Sequence, residues 1–188
     1  MKASDKQPGA NFLASAGKLF RYYKKLGEGA MDQLSADELQ YRPSEESNSV
    51  AIIVKHLHGN MLSRWTNFLE EDGEKAWRDR EGEFDATLNT AEAVRHAWEE
   101  GWACLFDNLD PLTADDVDRM VYIRNEGHTV LEAINRQLAH YAYHVGQIVV
   151  LAKQIRGKDF ASLSIPRGGS QTYNKKKFDQ DKGRRHFV

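Results

Sequence analysis

The sequence of 188 residues has only one cysteine, Cys104. A single cysteine excludes an intrachain disulfide and a zinc site built from a cysteine cluster. Cys104 lies in the apolar stripe region of a predicted helix and has no histidine near it in sequence, which favours a core residue over a nucleophile. The sequence also lacks a glycine-rich phosphate loop and a nucleophile-elbow pattern. The motifs typical of P-loop proteins and of α/β-hydrolases are therefore absent.

Long hydrophobic runs are missing as well. No apolar stretch approaches the ~20 residues that a membrane-spanning helix needs. The first residues, Met1 to Pro8, are polar and have no apolar centre of the kind found in secretory signals. The net charge of -2 gives no global field that would favour nucleic acid or a membrane surface. We therefore expect a cytoplasmic protein with no membrane partner.

The end of the chain departs from this charge balance. From Phe160 onwards, seven basic residues stand against two acidic ones, which leaves the tail at +5. A basic tail can contact nucleic-acid phosphates. This tail lacks the regularly spaced aromatic residues that base stacking would need. We interpret it as a solvated, mobile end, and we do not expect nucleic acid as a partner.

Four segments have apolar residues at alternating steps of three and four, which predicts amphipathic helices. We place these helices at about residues 12–34, 49–72, 91–109 and 129–156. A capping box of Thr129 and Glu132 predicts the start of the fourth helix, and Gly157 predicts its end. The apolar stripe of that helix consists of Leu131, Ile134, Leu138, Tyr141, Val145, Ile148, Ala152 and Ile155.

A long connection separates the second and third predicted helices. Residues 72–89 contain Gly73, Gly82 and many charges, and they show no helical period. The sequence therefore predicts an all-α protein, a four-helix bundle with a long crossover connection between helices two and three. Beyond the third helix, residues 120–124 are expected to form a short extended segment. The domain organisation we expect is a flexible leader (1–10), the four-helix bundle domain (11–160) and a C-terminal extension with the basic tail (161–188).

Several charged and aromatic residues of the crossover connection have two interpretations. They would cover the mouth of a functional site, or they would form an ordinary loop held by one tryptophan and by ion pairs. We favour the ordinary loop. The residues concerned are Trp77, Arg78, Asp79, Arg80, Glu83 and Phe84.

The fourth helix carries two histidines, His140 and His144, four residues apart. At about 100° per residue, they lie one turn apart on the same flank of the apolar stripe. Two imidazoles in this arrangement can bind one metal ion, or they can be two ordinary buried histidines. A third ligand has to decide between the two.

The second helix offers His56 and His58, which are about 200° apart around the helix and cannot reach the same point. His56 shares its flank with Ser49, Asn60 and Ser63, a polar strip beside the core face. If His56 faces the histidine pair across the bundle, three neutral imidazoles would bind one cation and leave an open coordination position. Spacing alone supports this site and three ordinary buried histidines about equally.

At several motifs the chain resembles a known superfamily. The motifs are Asn48-Ser49-Val50-Ala51 leading into Lys55-His56-Leu57, His140-x-x-x-His144-x-Gly146-Gln147, and Asp72-Gly73-Glu74-Lys75-x-Trp77. Together they resemble the DinB/YfiT-like superfamily over about residues 12–174. The closing segment is similar to a branch of it known only as a domain of unknown function. That segment reads Leu163-Ser164-Ile165-Pro166-Arg167-Gly168-Gly169-Ser170.

The resemblance implies a four-helix bundle of unusual connectivity, often a homodimer, with a divalent metal on three histidines. The superfamily's ligand in the second helix falls on His56. Its pair in the fourth helix falls on His140 and His144, so the triad is intact. Some members are thiol transferases that use bacillithiol or mycothiol, which adds a low-molecular-weight thiol to the expected cofactors.

We therefore expect a metal-dependent enzyme of the thiol-dependent S-transferase or hydrolase type, acting on a small molecule. Zinc suits three imidazoles, and nickel also binds nitrogen ligands strongly. Asn60, one turn beyond His56, and Gln147, three residues after His144, are candidates to orient ligands or substrate. The alternative is a non-catalytic metal-binding or interaction module. No general acid or base can be identified from the sequence.

Overall fold

The computed structural model describes residues 8–183, and this part of the chain is mostly helical. The predicted all-α class is confirmed, with one small sheet added. Residues 1–7 of the predicted leader and residues 184–188 of the predicted tail lie outside the described residues. The elements are α1 (Pro8–Met31), α2 (Ala36–Gln40), α3 (Val50–Trp65), α4 (Ala91–Leu109), β1 (Met120–Ile123), β2 (Glu126–Thr129), α5 (Val130–Arg156) and α6 (Ser170–Phe178).

Side-chain caps fix the helix starts, as several sequence signals predicted. Thr129 and Glu132 form the predicted capping box of α5, and Gly157 follows its last residue with a φ of 55°. Ser49 accepts a hydrogen bond from the backbone N–H of Ile52 and so begins α3. The predicted end of this helix at residue 72 was wrong. α3 ends at Trp65, and Asn67, with a φ of 50°, has left the helical conformation.

The four long helices pack in pairs. The closest pairs are α3 with α4 and α1 with α5, and α5 also contacts α3. Gly27 of α1 shows how tight this packing is, because a Cβ there would lie 2.4 Å from the ring of Trp98. The missing side chain lets the Trp98 ring lie directly against α1.

The centre of the core is an aromatic cluster contributed by all four long helices. Phe20 contacts Trp65, Trp102 and Tyr141, with ring centroids 5.9, 6.3 and 5.8 Å apart. All four rings are fully buried. Aromatic pairs in such tilted or edge-on arrangements contribute about 0.5–1.5 kcal/mol each beyond the burial of their surface. The cluster therefore fixes how α3 and α5 face each other, and these are the helices that carry the three histidines.

A β-hairpin precedes α5 and is tied to the crossover connection. The predicted extended segment is β1, but its antiparallel partner β2 was not predicted. Arg124 and Asn125 form the turn with φ values of 59° and 60°, as a two-residue hairpin loop requires. Asp72 accepts hydrogen bonds from both of their backbone N–H groups, each at 2.8 Å. The hairpin and the connection therefore hold each other in place.

The segment after α5 returns to α1. Gln33 accepts a hydrogen bond from the backbone N–H of Ala161 at 2.7 Å. Leu163 packs where Gly29 has no side chain, since a Cβ on that glycine would lie 2.8 Å from the leucine. α6 follows with no buried residue. Within residues 8–183, no helix combines the length and the apolar surface needed to cross a membrane.

Candidate metal centre

Three histidines from two helices converge in the structure. The Nε2 atom of His56 on α3 lies 3.3 Å from Nε2 of His140 on α5, and Nε2 of His144 lies 3.1 Å from the same atom. The three candidate ligand atoms lie within 4.8 Å of one another. His56 is buried, and the other two are partly buried. The structure thus brings together the three histidines chosen from the sequence, and the group could hold a metal ion.

The local geometry of the two helices produces this convergence. His140 and His144 are one turn apart on α5, so their rings project from one flank with centroids 4.6 Å apart. The ring of His56 comes from the facing side of α3, with centroids 5.3 Å from His140 and 4.7 Å from His144. Because α3 and α5 contact each other across the core, the His56 ring lies next to the other two rings.

Hydrogen bonds fix the protonation of two of these rings. Nδ1 of His56 lies 2.8 Å from a carboxylate oxygen of Glu83, which can only accept, so the proton is on Nδ1. Nδ1 of His144 likewise donates to Oε1 of Gln147 at 2.8 Å. The Nε2 atoms of both rings therefore carry lone pairs directed towards His140. A proton on Nε2 of His140 can satisfy only one of them, whereas a cation would satisfy all three nitrogens.

Two of the three separations between these nitrogens match a small divalent ion. Two imidazole ligands of a tetrahedral zinc ion, each about 2.0–2.1 Å from the metal, lie about 3.3 Å apart. The Nε2 atoms of His56 and His144 lie 3.3 and 3.1 Å from Nε2 of His140, in agreement with this value. Ligating histidines also usually donate their other N–H to a carboxylate or carbonyl oxygen. Glu83 and Gln147 provide these acceptors, so the residues present fit a metal centre.

Glu83 is itself held by the crossover connection. Arg78 donates to both of its carboxylate oxygens, at 2.7 and 3.0 Å, and the side chain of Arg78 is only 2% exposed. Burial alone would raise the pKa of Glu83, but the hydrogen bonds with His56 and Arg78 hold its pKa below the usual value. The carboxylate therefore stays charged beside His56. Phe84 stacks on that imidazole, with ring centroids 5.1 Å apart.

A glycine makes the approach of Glu83 to α3 possible. A Cβ on Gly59 would lie 2.4 Å from Oε1 of Glu83 and 2.8 Å from its carboxylate carbon. Glu83 cannot move away without losing its bonds to Arg78 or His56. The glycine is therefore needed for this contact, three residues along α3 from the candidate ligand.

Burial keeps His140 and His144 neutral. Desolvation, followed by the neighbouring His144 and His56, lowers the pKa of His140 to about 3. Desolvation, followed by His56, lowers the pKa of His144 to about 4, although the hydrogen bond from its N–H to Gln147 opposes this shift. Neutral imidazole is the form that binds metal. Both rings are therefore available as ligands well below neutral pH.

The two residues proposed from sequence to orient ligands have different surroundings. Gln147 contacts His144 directly, as described above. Asn60 instead accepts a hydrogen bond at 3.1 Å from the hydroxyl of Tyr141, which in turn accepts one from Nε1 of Trp65. Asn60 also lines a cavity next to the histidines. Its direct contact is with the core network, and its amide borders the site.

This cavity has a volume of about 280 Å³ and reaches two of the candidate ligands. Its wall is polar and strongly basic. It is lined by His56, Asn60, Arg64, Arg78, Arg80, Arg124, Arg136, Gln137 and His140.

The role of the crossover connection was the part that the sequence reasoning underestimated. The predicted ion pairs do hold this segment, but Trp77 is 60% exposed and does not pin it. Glu83, Arg78 and Phe84 contact or support His56 directly. A chemical argument could have pointed to this role of the connection. A ligating histidine needs an acceptor for its second N–H, and a segment rich in carboxylates lay between the two histidine helices in sequence.

Comparison with known proteins gives a family and no characterised relative. No curated protein and no solved structure matches the chain. A family model does match, over residues 7–169, and its description is "Protein of unknown function (DUF1572)". The matched span contains the three histidines, Glu83 and the whole crossover connection. The chain therefore belongs to the DUF1572 family.

Proposed function

We propose that His56, His140 and His144 bind one divalent metal ion, zinc or nickel, in a four-helix bundle of the DinB/YfiT-like type. The pairwise packing of α1, α3, α4 and α5 supports the bundle, as does the long connection between α3 and α4. Metal binding is supported by the distances between the Nε2 atoms. It is also supported by Glu83 and Gln147, which accept hydrogen bonds from Nδ1 of His56 and His144.

The function we propose is that of a metal-dependent enzyme, a thiol-dependent transferase or a hydrolase, acting on a small molecule. One observation carries this choice. Among residues 8–183, no fourth histidine, cysteine, aspartate or glutamate joins the cluster, and a cavity opens beside His56 and His140. A structural zinc site is normally closed by a fourth protein ligand, whereas a catalytic one leaves a position open.

The ion, when bound, would supply Lewis acidity and so activate a water or thiol nucleophile near neutral pH. The chain's own residues hold the three ligands. Glu83 and Gln147 fix the ring orientation of His56 and His144, and Arg78 keeps Glu83 charged. Because all three ligands are neutral, they leave the full charge of the ion available.

A nucleophilic thiol, if one is used, would come from a small molecule. Cys104 is partly buried and its Sγ lies 3.6 Å from the hydroxyl of Thr66. Burial raises the pKa of this thiol, which disfavours the reactive thiolate. Cys104 is also not part of the cavity wall. Water and a low-molecular-weight thiol are therefore the two nucleophiles to test.

Cobalt substitution tests whether the site is open. Cobalt(II) bound to the three histidines should give a visible spectrum that changes when azide is added, because azide can occupy a free coordination position. The spectrum should be lost in His144→Ala. A cobalt spectrum that is indifferent to azide would mean a closed site and would favour the non-catalytic metal-binding module.

An activity screen then separates the two enzyme classes. Zinc- and nickel-loaded protein would be incubated with low-molecular-weight thiols plus electrophiles, and separately with simple ester and amide substrates. Turnover that is present in the wild type and absent in His140→Ala would assign the class. Exposed His96 provides the matched control, since His96→Ala should keep full activity.

We also propose a homodimer through the outer face of α5. Tyr143 and Val150 lie two turns apart on this helix and are 62% and 55% exposed. Large apolar side chains on one exposed helix face are typical of protein contacts. Tyr41 and Pro43 lie beside this face, at the edges of two shallow grooves next to α5. The symmetry of a dimer would bring two copies of α5 together.

A further inference from the structure

The cavity beside the candidate metal centre has five guanidinium groups in its wall. They come from four parts of the chain: α3, the crossover connection, the turn of the β-hairpin and α5. Such a concentration of one charge in a cavity of about 280 Å³ calls for a ligand of the opposite charge. The arginines are Arg64, Arg78, Arg80, Arg124 and Arg136.

Three of the arginines share one carboxylate. Glu74 Oε2 lies 3.0 Å from Arg64, 3.3 Å from Arg78 and 3.0 Å from Arg124. Arg78 also pairs with Glu83. Asp72 also interacts with Arg64. Five guanidinium groups therefore stand against three carboxylates, those of Asp72, Glu74 and Glu83, which leaves an excess of two positive charges. The paired arginines hold the crossover connection and the hairpin together, and they leave a positive potential in the cavity.

The other two arginines have no such partner. Arg80 and Arg136 are exposed, and within residues 8–183 neither makes a hydrogen bond or ion pair. They approach the cavity from different elements, the crossover connection and α5. A guanidinium group offers a fork of donors that matches the two oxygens of a carboxylate or phosphate. Two unpaired forks at one cavity form a clamp for such a group.

Two buried polar atoms in the wall also lack a partner. Gln137 is 4% exposed, and its Oε1 has no hydrogen-bond donor among the described residues. Nε of the buried Arg64 is likewise without an acceptor in this part of the chain. Unsatisfied buried polar atoms cost stability. Both residues lie in the cavity wall, so the wall contains polar groups that the described residues leave unsatisfied.

We infer that the substrate is a small anionic molecule whose carboxylate or phosphate group is bound by Arg80 and Arg136. The part of the molecule that reacts would then lie beside His56 and His140. This assignment of substrate class rests on the proposed function for the reaction, but binding of the anion does not itself require the metal. The volume, about 280 Å³, is just below the roughly 300–1,000 Å³ typical of ligand pockets, which limits the substrate to a small metabolite-sized molecule.

Calorimetric titration of metal-free protein with phenyl phosphate and with benzoate tests the inference. The buffer would be bis-tris propane chloride at low salt, which contains no competing oxyanion. We expect the wild type to bind at least one of the two anions and not the neutral benzyl alcohol. Arg80→Gln and Arg136→Gln should each weaken binding about tenfold, the loss expected for a charge-assisted hydrogen bond.

Arg95→Gln is the matched control, because Arg95 lies on α4 and pairs with Asp32 on the surface. It should bind the anions as the wild type does. Binding of only one of the two anions would show whether the cavity recognises a phosphate or a carboxylate group. No binding of either anion, or an equal loss in Arg95→Gln, would overturn the inference. Failure of the metal site is a separate result, since it would show as absent metal in protein that still binds the anion.

Discussion

Nδ1 of His56 lies 2.8 Å from Oε2 of Glu83, across 27 residues of sequence. This contact joins α3 to the crossover connection at the candidate metal centre. The carboxylate fixes the proton of His56 on Nδ1 and leaves Nε2 free to face His140 and His144. A connection that would otherwise be an ordinary loop thereby becomes part of the site.

Replacing Glu83 by glutamine is expected to weaken metal binding by about tenfold to a hundredfold, the usual effect of removing the acceptor of a ligating histidine. The amide keeps the shape but loses the charge that pairs with Arg78. Competition with a chromogenic chelator would measure the affinity of the folded variant. Glu100 pairs with His58 at 2.9 Å on the surface, so Glu100→Gln is the matched control. Wild-type affinity in Glu83→Gln would refute the role of this carboxylate.

Gly59→Ala is expected to weaken metal binding as well. Alanine normally stabilises a helix interior by about 1 kcal/mol relative to glycine. Here the new methyl group would overlap the carboxylate of Glu83 and push it away from His56. Gly146 on α5 is the matched control, because a Cβ at that position would have no neighbouring atom within 4 Å. Gly146→Ala should therefore keep its metal affinity, and equal affinities in the two variants would contradict this account.

The stability of the metal-free protein should decrease in mild acid. The pKa values of His140 and His144 are about 3 and about 4, below the ordinary value of 6.5, because burial disfavours the charged rings. At a pH between the folded-state pKa values and 6.5, these two histidines bind protons in the unfolded chain but not in the folded protein. The free energy of unfolding therefore falls as the pH drops below about 6.5, and the loss continues down to the folded-state pKa values.

Urea unfolding at about pH 7 and about pH 4.5 would measure this loss of stability. The double variant His140→Gln with His144→Gln has no titrating rings at these positions. Its stability should decrease less over the same interval, although Glu83, whose pKa is lowered in the folded state, still contributes at the acid end. An equal decrease in wild type and double variant would show that the two rings are not desolvated as described.

The proposed dimer predicts a solution mass of about twice the 21.4 kDa of one chain. Val150→Glu should convert it to a monomer, because the carboxylate would be buried in the contact between two α5 helices. Light scattering at micromolar concentration measures the mass. Phe178, which is highly exposed on α6, supplies the control Phe178→Glu, for which the dimer should persist. A wild-type mass near that of one chain would end the proposal.

The sequence was most informative where local rules apply. The capping box and glycine of α5 predicted its bounds to within one residue, and the helical period placed His140 and His144 on one flank. The third histidine followed from the resemblance and from the polar flank of His56. These features depend on short-range geometry, which a single sequence contains.

Long-range contacts in the irregular segments could not be predicted in the same way. Glu83 reaches His56 only because Arg78, the hairpin turn at Arg124 and the missing side chain of Gly59 all permit it. No period in the sequence links these residues. β2 was missed for a related reason, since Glu126–Thr129 is short, polar and held mainly by its pairing with β1.

Metal content is the measurement that tests the central proposal most directly. Untagged protein, purified without added metal or chelator, would be analysed by mass spectrometry of the elements, beside His140→Ala and the exposed control His96→Ala. We predict about one zinc or nickel ion per chain in the wild type and in His96→Ala, as three histidine ligands require, and almost none in His140→Ala. Equal metal in the wild type and His140→Ala would contradict the three-histidine metal centre.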